Sequence, residues 1–294
     1  ITWIMMIFGI VLTAGLAGGV LDPFSLTRLV LVSGGVCAIA LVLSTVAVWG
    51  VERTGPRPAA AQSEPLDFKA ALADVWSEPR ARRFTIFVFI SMLAYSTQDL
   101  ILEPFSGLVF GFTPGESTQL AGMQHGGVLI GMVAVALIAA RARGAGGFAR
   151  RQTFVIGGCV ASSVALAGLA AASVAGPGWP LAPTVFLLGL ANGGFAVAAI
   201  GAMMGLAGAD GAGREGMRIG LWGAAQAIAF GLGGFLGAAA IDTARAVLGD
   251  ASSAFALVFA LEALLFLVAA RLALGVEAAG TEAEPTPKLA GAIS

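Results

Sequence analysis

Residues 84–110 read FTIFVFISMLAYSTQDLILEPFSGLVF, an apolar stretch whose only charged side chains are Asp99 and Glu103. A helix needs about 20 mainly apolar residues to cross the hydrocarbon core of a bilayer, and this stretch is longer. It lacks the period-two alternation of a transmembrane β-strand. The stretch therefore predicts a membrane-spanning α-helix.

Similar apolar runs recur along the chain, separated by turn residues such as Thr113-Pro114-Gly115. We therefore expect an all-α polytopic membrane protein with eight transmembrane helices. The predicted spans are residues 1–21, 29–50, 84–110, 117–140, 152–175, 182–207, 217–241 and 253–275.

The composition agrees with this fold class. Of the 294 residues, 58% are hydrophobic and 11% are charged, whereas a soluble domain carries about 25% charged residues. Such a composition argues against a soluble enzyme, a nucleic-acid-binding protein and a disordered protein. Cys37 and Cys159 both lie in apolar runs, which indicates neither a disulfide framework nor a metal cluster.

Basic side chains fall almost entirely on one side of the predicted topology. Alternating spans place 14 of the 16 Lys and Arg residues on the side of the long polar segment 51–83, and only Arg28 and Arg245 on the other. Lys and Arg accumulate in cytoplasmic loops. We therefore expect segment 51–83 and the C-terminus to be cytoplasmic.

The six predicted spans after segment 51–83 match one half of a twelve-helix transporter, which suggests a major-facilitator-type helix bundle. The eight helices would be about helices 5–12 of 12, and the chain the later part of a longer protein. The expected regions are the last two helices of an N-terminal bundle (1–50), a cytoplasmic central loop (51–83), a six-helix C-terminal bundle (84–275) and a disordered cytoplasmic tail (276–294).

The central loop contains one stretch with helical periodicity. Phe68, Leu72, Val75 and Trp76 share one face of a helix. We expect this short amphipathic helix to lie on the membrane surface.

Polar side chains inside the spans are functional candidates because they are costly in hydrocarbon. The helical rise of 1.5 Å per residue places Asp99, Glu103 and His125 at similar depths. Three roles stay open for His125, the only histidine: axial ligand of the magnesium of a (bacterio)chlorophyll, proton relay with Asp99 or Glu103, or helix packing. Other intramembrane candidates are Gln98, Gln124, Asn192, Gln226 and Glu262.

Two further segments lead to structural expectations. Pro104 removes a backbone hydrogen bond, so we expect a break or kink after Glu103, followed by an aromatic stretch at 105–112. Segment 214–218 is expected to act as a structural gate. The chain contains no Walker loop, metal-ligand spacing, nucleophile elbow or dinucleotide fingerprint, so we expect that it is not an enzyme.

Several segments between about 85 and 240 together resemble the PucC/LhaA family, a bacteriochlorophyll-delivery branch of the major facilitator superfamily. They are QDLILEPF (98–105), GLVFG (107–111), TPGEST (113–118), QHGGVL (124–129), AAIGAMM (198–204) and REGMRIGLWGAAQA (214–227).

The resemblance implies an assembly factor for light-harvesting complexes that binds or delivers bacteriochlorophyll as antenna α and β polypeptides assemble around the reaction centre. It implies the bacterial inner (intracytoplasmic photosynthetic) membrane as location, and the antenna polypeptides, the reaction centre, pigment or carotenoid-containing complexes and membrane lipid as partners, without nucleic acid. The candidate pigment site, with His125 as the magnesium ligand, comprises His125, Gln124, Asp99, Glu103, Phe105, Gln226 and Trp222.

Two alternatives stay open. The carboxylates Asp99, Glu103 and Glu262 would suit a proton-coupled transporter of a small molecule, although such a site needs more convergent polar groups. The aromatic and glycine-rich surfaces would also suit a scaffold that holds antenna subunits without pigment.

Overall fold

The computed structural model describes residues 2–50, 68–141, 147–207 and 215–281, and every regular element in these ranges is helical. The elements are α1 (Thr2–Leu21), α2 (Leu26–Val48), α3 (Phe68–Ser77), α4 (Pro79–Phe110), α5 (Pro114–Arg141), α6 (Gly147–Ala175), a 3-10 turn (Gly176–Gly178), α7 (Leu181–Ala207), α8 (Glu215–Leu248) and α9 (Ala251–Thr281).

Eight of these helices, all except α3, are long and apolar enough to cross a membrane. The protein is therefore an all-α polytopic membrane protein, which confirms the predicted fold class. The end at which α4 and α8 begin carries Arg80, Arg82, Arg83 and Arg141, and we call it the basic end; the other is the opposite end.

Several helices extend beyond the predicted spans. Helix α4 begins at Pro79, where a proline suits the first helical turn because its missing N–H would have no partner there. Helix α9 continues to Thr281, so the first residues of the tail predicted as disordered, 276–294, are helical instead. Apolar periodicity stops at charged residues, whereas a helix can continue past them. Residues 282–294 lie outside the described part.

Helix α4 runs unbroken through Pro104, so the predicted break after Glu103 is wrong. The loss of one hydrogen bond is tolerated in transmembrane helices because neighbouring groups compensate. The helix ends instead at Gly111, whose positive φ of 74° is a conformation that glycine adopts without strain. The aromatic residues before Gly111 consequently belong to α4.

The helices pack in a defined order around a large apolar core. Helix α4 packs against α8 and α9, α9 against α6, α6 against α7, and α7 against α5. The core is made from all six of these helices. Helix α1 packs along α5, whereas α2 has no buried residue.

The closest approach joins α5 and α7. Gly127 and Gly131 of α5 face the α7 backbone, and Gly189 and Gly193 of α7 face the α5 backbone. A Cβ at any of the four would overlap a main-chain atom of the other helix, so only glycine permits this crossing. The contact fixes the position of the α5 segment that carries His125.

The amphipathic helix α3 packs against α4 and α8 at the basic end. Val75 is fully buried there and Leu72 is half-buried, whereas Trp76 is exposed. Leu72 and Val75, which form one part of the predicted apolar face, therefore contact other helices of the protein. Residues 51–67 of the predicted loop lie outside the described part.

Candidate functional site

His125 lies half-buried in α5, and its ring makes one hydrogen bond to the residues that the structure describes. Nδ1 lies 2.9 Å from the carbonyl oxygen of Ala121, one turn earlier in the same helix. A carbonyl only accepts, so Nδ1 carries the proton and donates it. In the neutral ring, Nε2 then has a free lone pair, the arrangement in which histidine binds a metal.

Asp99 of α4 is exposed, and its carboxylate interacts electrostatically with His125 and with Tyr95, one turn earlier. Glu103 lies one turn further along α4 and is also exposed. Asp99 and His125 each lie eleven residues from the opposite end of their helix, Phe110 and Pro114 respectively. At 1.5 Å per residue, both residues lie about 16 Å from that end of the bundle, which agrees with the predicted common depth.

Gln124 points away from His125 although it precedes it. Its side chain is buried at the crossing of α5 and α7, and its amide nitrogen has no hydrogen-bond partner among the described residues. Successive residues of a helix project about 100° apart, which explains the divergence. Gln124 therefore supports the helix that carries His125 and does not extend the surface around the ring.

Phe105 lies in the core and not on a surface. It has no exposed area, and its ring packs at centroid distances of 5.4, 5.3 and 4.9 Å on Phe110, Phe255 and Phe259. This aromatic cluster joins α4 to α9. The structure does not bring Phe105 together with His125.

Trp222 and Gln226 lie one turn apart in α8. Trp222 is buried near the basic end, with its ring edge-on to Phe84 at a centroid distance of 4.8 Å. Its indole nitrogen has no hydrogen-bond partner in the described ranges. Gln226 is half-buried. The predicted set therefore divides into a surface group (Asp99, Glu103 and His125), interior side chains and the half-buried Gln226.

Polar residues of five helices share one level of the bundle. Asn192 and Glu262 also lie eleven residues from the opposite end of their helices, at Leu181 and Ala251. We call the set at this depth the polar layer; it consists of Gln98, Asp99, His125, Ser162, Asn192 and Glu262. The layer therefore lies within the helices that are long and apolar enough to cross a membrane.

A hydrogen-bonded chain forms the interior of this layer. Ser162 Oγ donates to Asn192 Oδ1 over 2.7 Å, and Asn192 Nδ2 donates to Gln98 Oε1 over 3.1 Å. All three side chains are buried, and they join α6, α7 and α4. The sequence indicates Gln98 and Asn192 as intramembrane polar residues. It gives no signal for Ser162, because a helical serine usually bonds to its own backbone.

A second set of polar interactions joins helices at the basic end. Nη2 of Arg218 in α8 lies 2.6 Å from Oε2 of Glu78, the residue before α4. Nη1 of Arg218 donates to the carbonyl oxygen of Leu206, near the end of α7. One buried guanidinium therefore joins three helices, a geometry that suits the gate predicted for 214–218. Residues 208–214 lie outside the described part.

These features define a class of protein: a multi-pass α-helical membrane protein with a polar layer across its bundle and a half-buried histidine in that layer. The chain belongs to the PUCC protein family, which matches residues 1–281. The predicted family is thereby confirmed, and the match includes α1 and α2, which precede the segments that carry the resemblance.

Individual relatives agree with this assignment. The chain is 51% identical over 291 residues to the protein of Rhodobacter capsulatus named "Bacteriochlorophyll synthase 44.5 kDa chain", covering 99% of this chain and 66% of that one. It is 31% identical to "Protein PucC" of the same organism, covering 91% and 58%. It is 29% identical to "Protein PucC" of Cereibacter sphaeroides, covering 85% and 54%. The chain thus spans between about half and two thirds of these relatives.

One expectation needs correction. The absence of four enzyme motifs led to the expectation that the chain is not an enzyme. A relative with 51% identity is named as a chain of bacteriochlorophyll synthase, which contradicts it. The motifs belong to other classes of enzyme, so their absence does not decide whether the chain is an enzyme.

Proposed function

We propose that this protein acts in the assembly of bacterial light-harvesting complexes and holds bacteriochlorophyll while antenna α and β polypeptides take it up. The observation that carries the proposal is the hydrogen bond from His125 Nδ1 to Ala121, which leaves Nε2 as the free nitrogen of a half-buried ring. Family membership supports the role in antenna assembly, and two relatives are named PucC.

The surroundings of His125 fit a large flat ligand. A Cβ built on the adjacent Gly126 would have no heavy atom within 4 Å, so there is open space on that side of α5. When bound, bacteriochlorophyll would supply a magnesium ion that can accept a nitrogen ligand. His125 would provide that nitrogen, and the Ala121 carbonyl would hold the ring in the required tautomer.

Asp99 has a positioning role in this proposal. Its carboxyl group interacts electrostatically with His125, which would help to hold the imidazole ring in place. Glu103, exposed one turn after Asp99 in α4, would contact the same ligand. Gln124, Phe105 and Trp222 would act through packing, because all three are buried.

We propose that the basic end faces the cytoplasm and that the membrane is the bacterial inner (intracytoplasmic photosynthetic) membrane. The excess of arginine at that end supports this orientation. A cysteine introduced at exposed Arg82 should react with an impermeant thiol reagent only after the cytoplasmic face is opened. Reaction in intact cells would reverse the proposed orientation.

The function is tested by purifying the full-length protein in mild detergent from a photosynthetic host and recording its absorption spectrum. We expect a near-infrared pigment band, co-purifying antenna polypeptides, and low antenna levels in a deletion strain. Antenna polypeptides without stoichiometric pigment would select the pigment-free scaffold. Substrate uptake driven by a pH gradient, with normal antenna levels in the deletion strain, would select the transporter.

A further inference from the structure

Tyr95, the only tyrosine of the chain, lies in α4 one turn before Asp99. Its side chain is half-buried, and its hydroxyl group makes no hydrogen bond to any residue that the structure describes. A tyrosine hydroxyl that is removed from water usually has a hydrogen-bond partner. The hydroxyl group of Tyr95 is therefore available to a ligand, and the proposed function does not yet use it.

Tyr95 lies on the same surface as the proposed magnesium ligand. Tyr95 and Asp99 are one helical turn apart, so they share one face of α4. Asp99 interacts electrostatically with both Tyr95 and His125. Helix α4 contacts α5, which carries His125, and also α8. The three side chains therefore border one surface, with Asp99 next to each of the other two.

The ring of Tyr95 is held from the side of α8. Its centroid lies 6.1 Å from that of Phe230, and the two ring planes meet at 66°, an edge-to-face arrangement. The hydroxyl group of Ser96 donates to the carbonyl oxygen of Ala229 over 3.1 Å, which fixes α8 beside α4 at this level. The packing of the ring gives the hydroxyl group a defined position, and a directional hydrogen bond requires one.

A hydroxyl group at this position suits a second feature of bacteriochlorophyll. The edge of the macrocycle carries carbonyl groups that are conjugated with the ring, and a carbonyl oxygen accepts hydrogen bonds. Tyr95 lies about 6 Å nearer the basic end than Asp99, which shares the depth of His125. The macrocycle is wider than one helical turn, so the edge of a pigment whose centre is bound to His125 reaches the level of Tyr95.

We propose that the hydroxyl group of Tyr95 donates a hydrogen bond to a ring carbonyl of bacteriochlorophyll, and so selects pigments that carry this carbonyl. The inference rests on the proposed function, because it concerns the same ligand. His125 binds the magnesium at the centre of the macrocycle, which leaves the ring free to rotate about that bond. Tyr95 fixes the rotation.

A pigment titration measures the contribution of the hydroxyl group. Full-length protein is purified in mild detergent from cells that make no bacteriochlorophyll, and bacteriochlorophyll a is then added. Tyr95→Phe removes the hydroxyl group and keeps the ring, whereas Thr45→Val removes a hydroxyl group at an exposed position of α2. We expect Thr45→Val to bind like wild type and Tyr95→Phe to bind about fivefold more weakly, which corresponds to one hydrogen bond.

Resonance Raman and absorption spectra of the pigment-saturated proteins detect the hydrogen bond itself. In Tyr95→Phe the stretching frequency of the ring carbonyl should rise and the near-infrared band should move to shorter wavelength, because a hydrogen bond weakens the C=O bond. A tyrosine with a merely structural role would change the affinity without changing the carbonyl frequency.

An unchanged carbonyl frequency in Tyr95→Phe would overturn this inference and leave binding by His125 intact. A wild-type protein that binds no pigment would overturn the proposed function together with the inference.

Discussion

Asn192 in α7 donates a hydrogen bond of 3.1 Å to Gln98 in α4 and accepts one of 2.7 Å from Ser162 in α6. The asparagine is completely buried, so when it is substituted no water can take its place as the hydrogen-bond partner of Gln98 and Ser162. Asn192→Leu should therefore lower the free energy of unfolding by about 1–3 kcal/mol. Thermal unfolding in detergent measures the change.

Ser173→Ala is the matched control for Asn192→Leu. Ser173 is also buried, but its hydroxyl bonds to Leu169 of its own helix, so its loss breaks no contact between helices. We expect a change of less than about 0.5 kcal/mol. Equal melting temperatures for the two variants would show that the chain across α6, α7 and α4 contributes no stability.

Glu78→Gln tests the interaction at the basic end. The change leaves Arg218, which is 3% exposed, without its carboxylate partner. A fully buried pair costs about 3–5 kcal/mol to break, but Glu78 is partly exposed, so we expect about 1–3 kcal/mol. Asp242→Asn, at an exposed position of α8, should leave the melting temperature unchanged. A similarly small effect for Glu78→Gln would contradict a structural role for the pair.

Gly189→Ala tests the crossing of α5 and α7. The added methyl group would overlap the Gln124 carbonyl oxygen, so we expect a loss of about 1–3 kcal/mol and a displaced α5. Gly157→Ala in α6 meets open space and should be neutral or stabilising, by up to about 1 kcal/mol. If both variants behave alike in thermal unfolding, the helices do not cross as closely as described.

Glu262 is buried, and neither carboxyl oxygen has a hydrogen-bond partner within the described ranges. No neighbouring group stabilises an ionised carboxylate at this buried position. Glu262→Gln keeps the shape of the side chain, so the variant should unfold at the same or a higher temperature. Glu262→Ala leaves a cavity and should lose about 2 kcal/mol. A large loss for Glu262→Gln would indicate that the charge has a partner in the native protein.

The sequence predicts the spans well because apolar runs of bilayer length are rare outside membrane-spanning helices. It predicts helix ends poorly, since α4 begins at Pro79, before the apolar run, and α9 continues past Glu277 to Thr281. The depth of Asp99 and His125 follows from the helical rise alone. The direction in which a side chain points does not follow from the helical rise, because it depends on the packing of helices that are distant in sequence.

Phe105 and Gln124 illustrate that limit. Phe105 lies two residues after Glu103, and Gln124 directly precedes His125. Yet Phe105 packs on rings of α9, and Gln124 is buried where α5 crosses α7. His125, one residue further on, remains accessible. The glycines of α5 and α7 indicate close packing, but only the structure shows which face of α5 is covered by α7.

The proposed function depends on Nε2 of His125 binding the magnesium of bacteriochlorophyll. The most direct test measures pigment bound per protein for wild type, His125→Gly and, as a control, Met123→Ala at an exposed position of α5. We predict that His125→Gly loses most of the pigment, that added imidazole restores it by replacing the lost ligand, and that Met123→Ala matches wild type. Unchanged pigment in His125→Gly would contradict the claim.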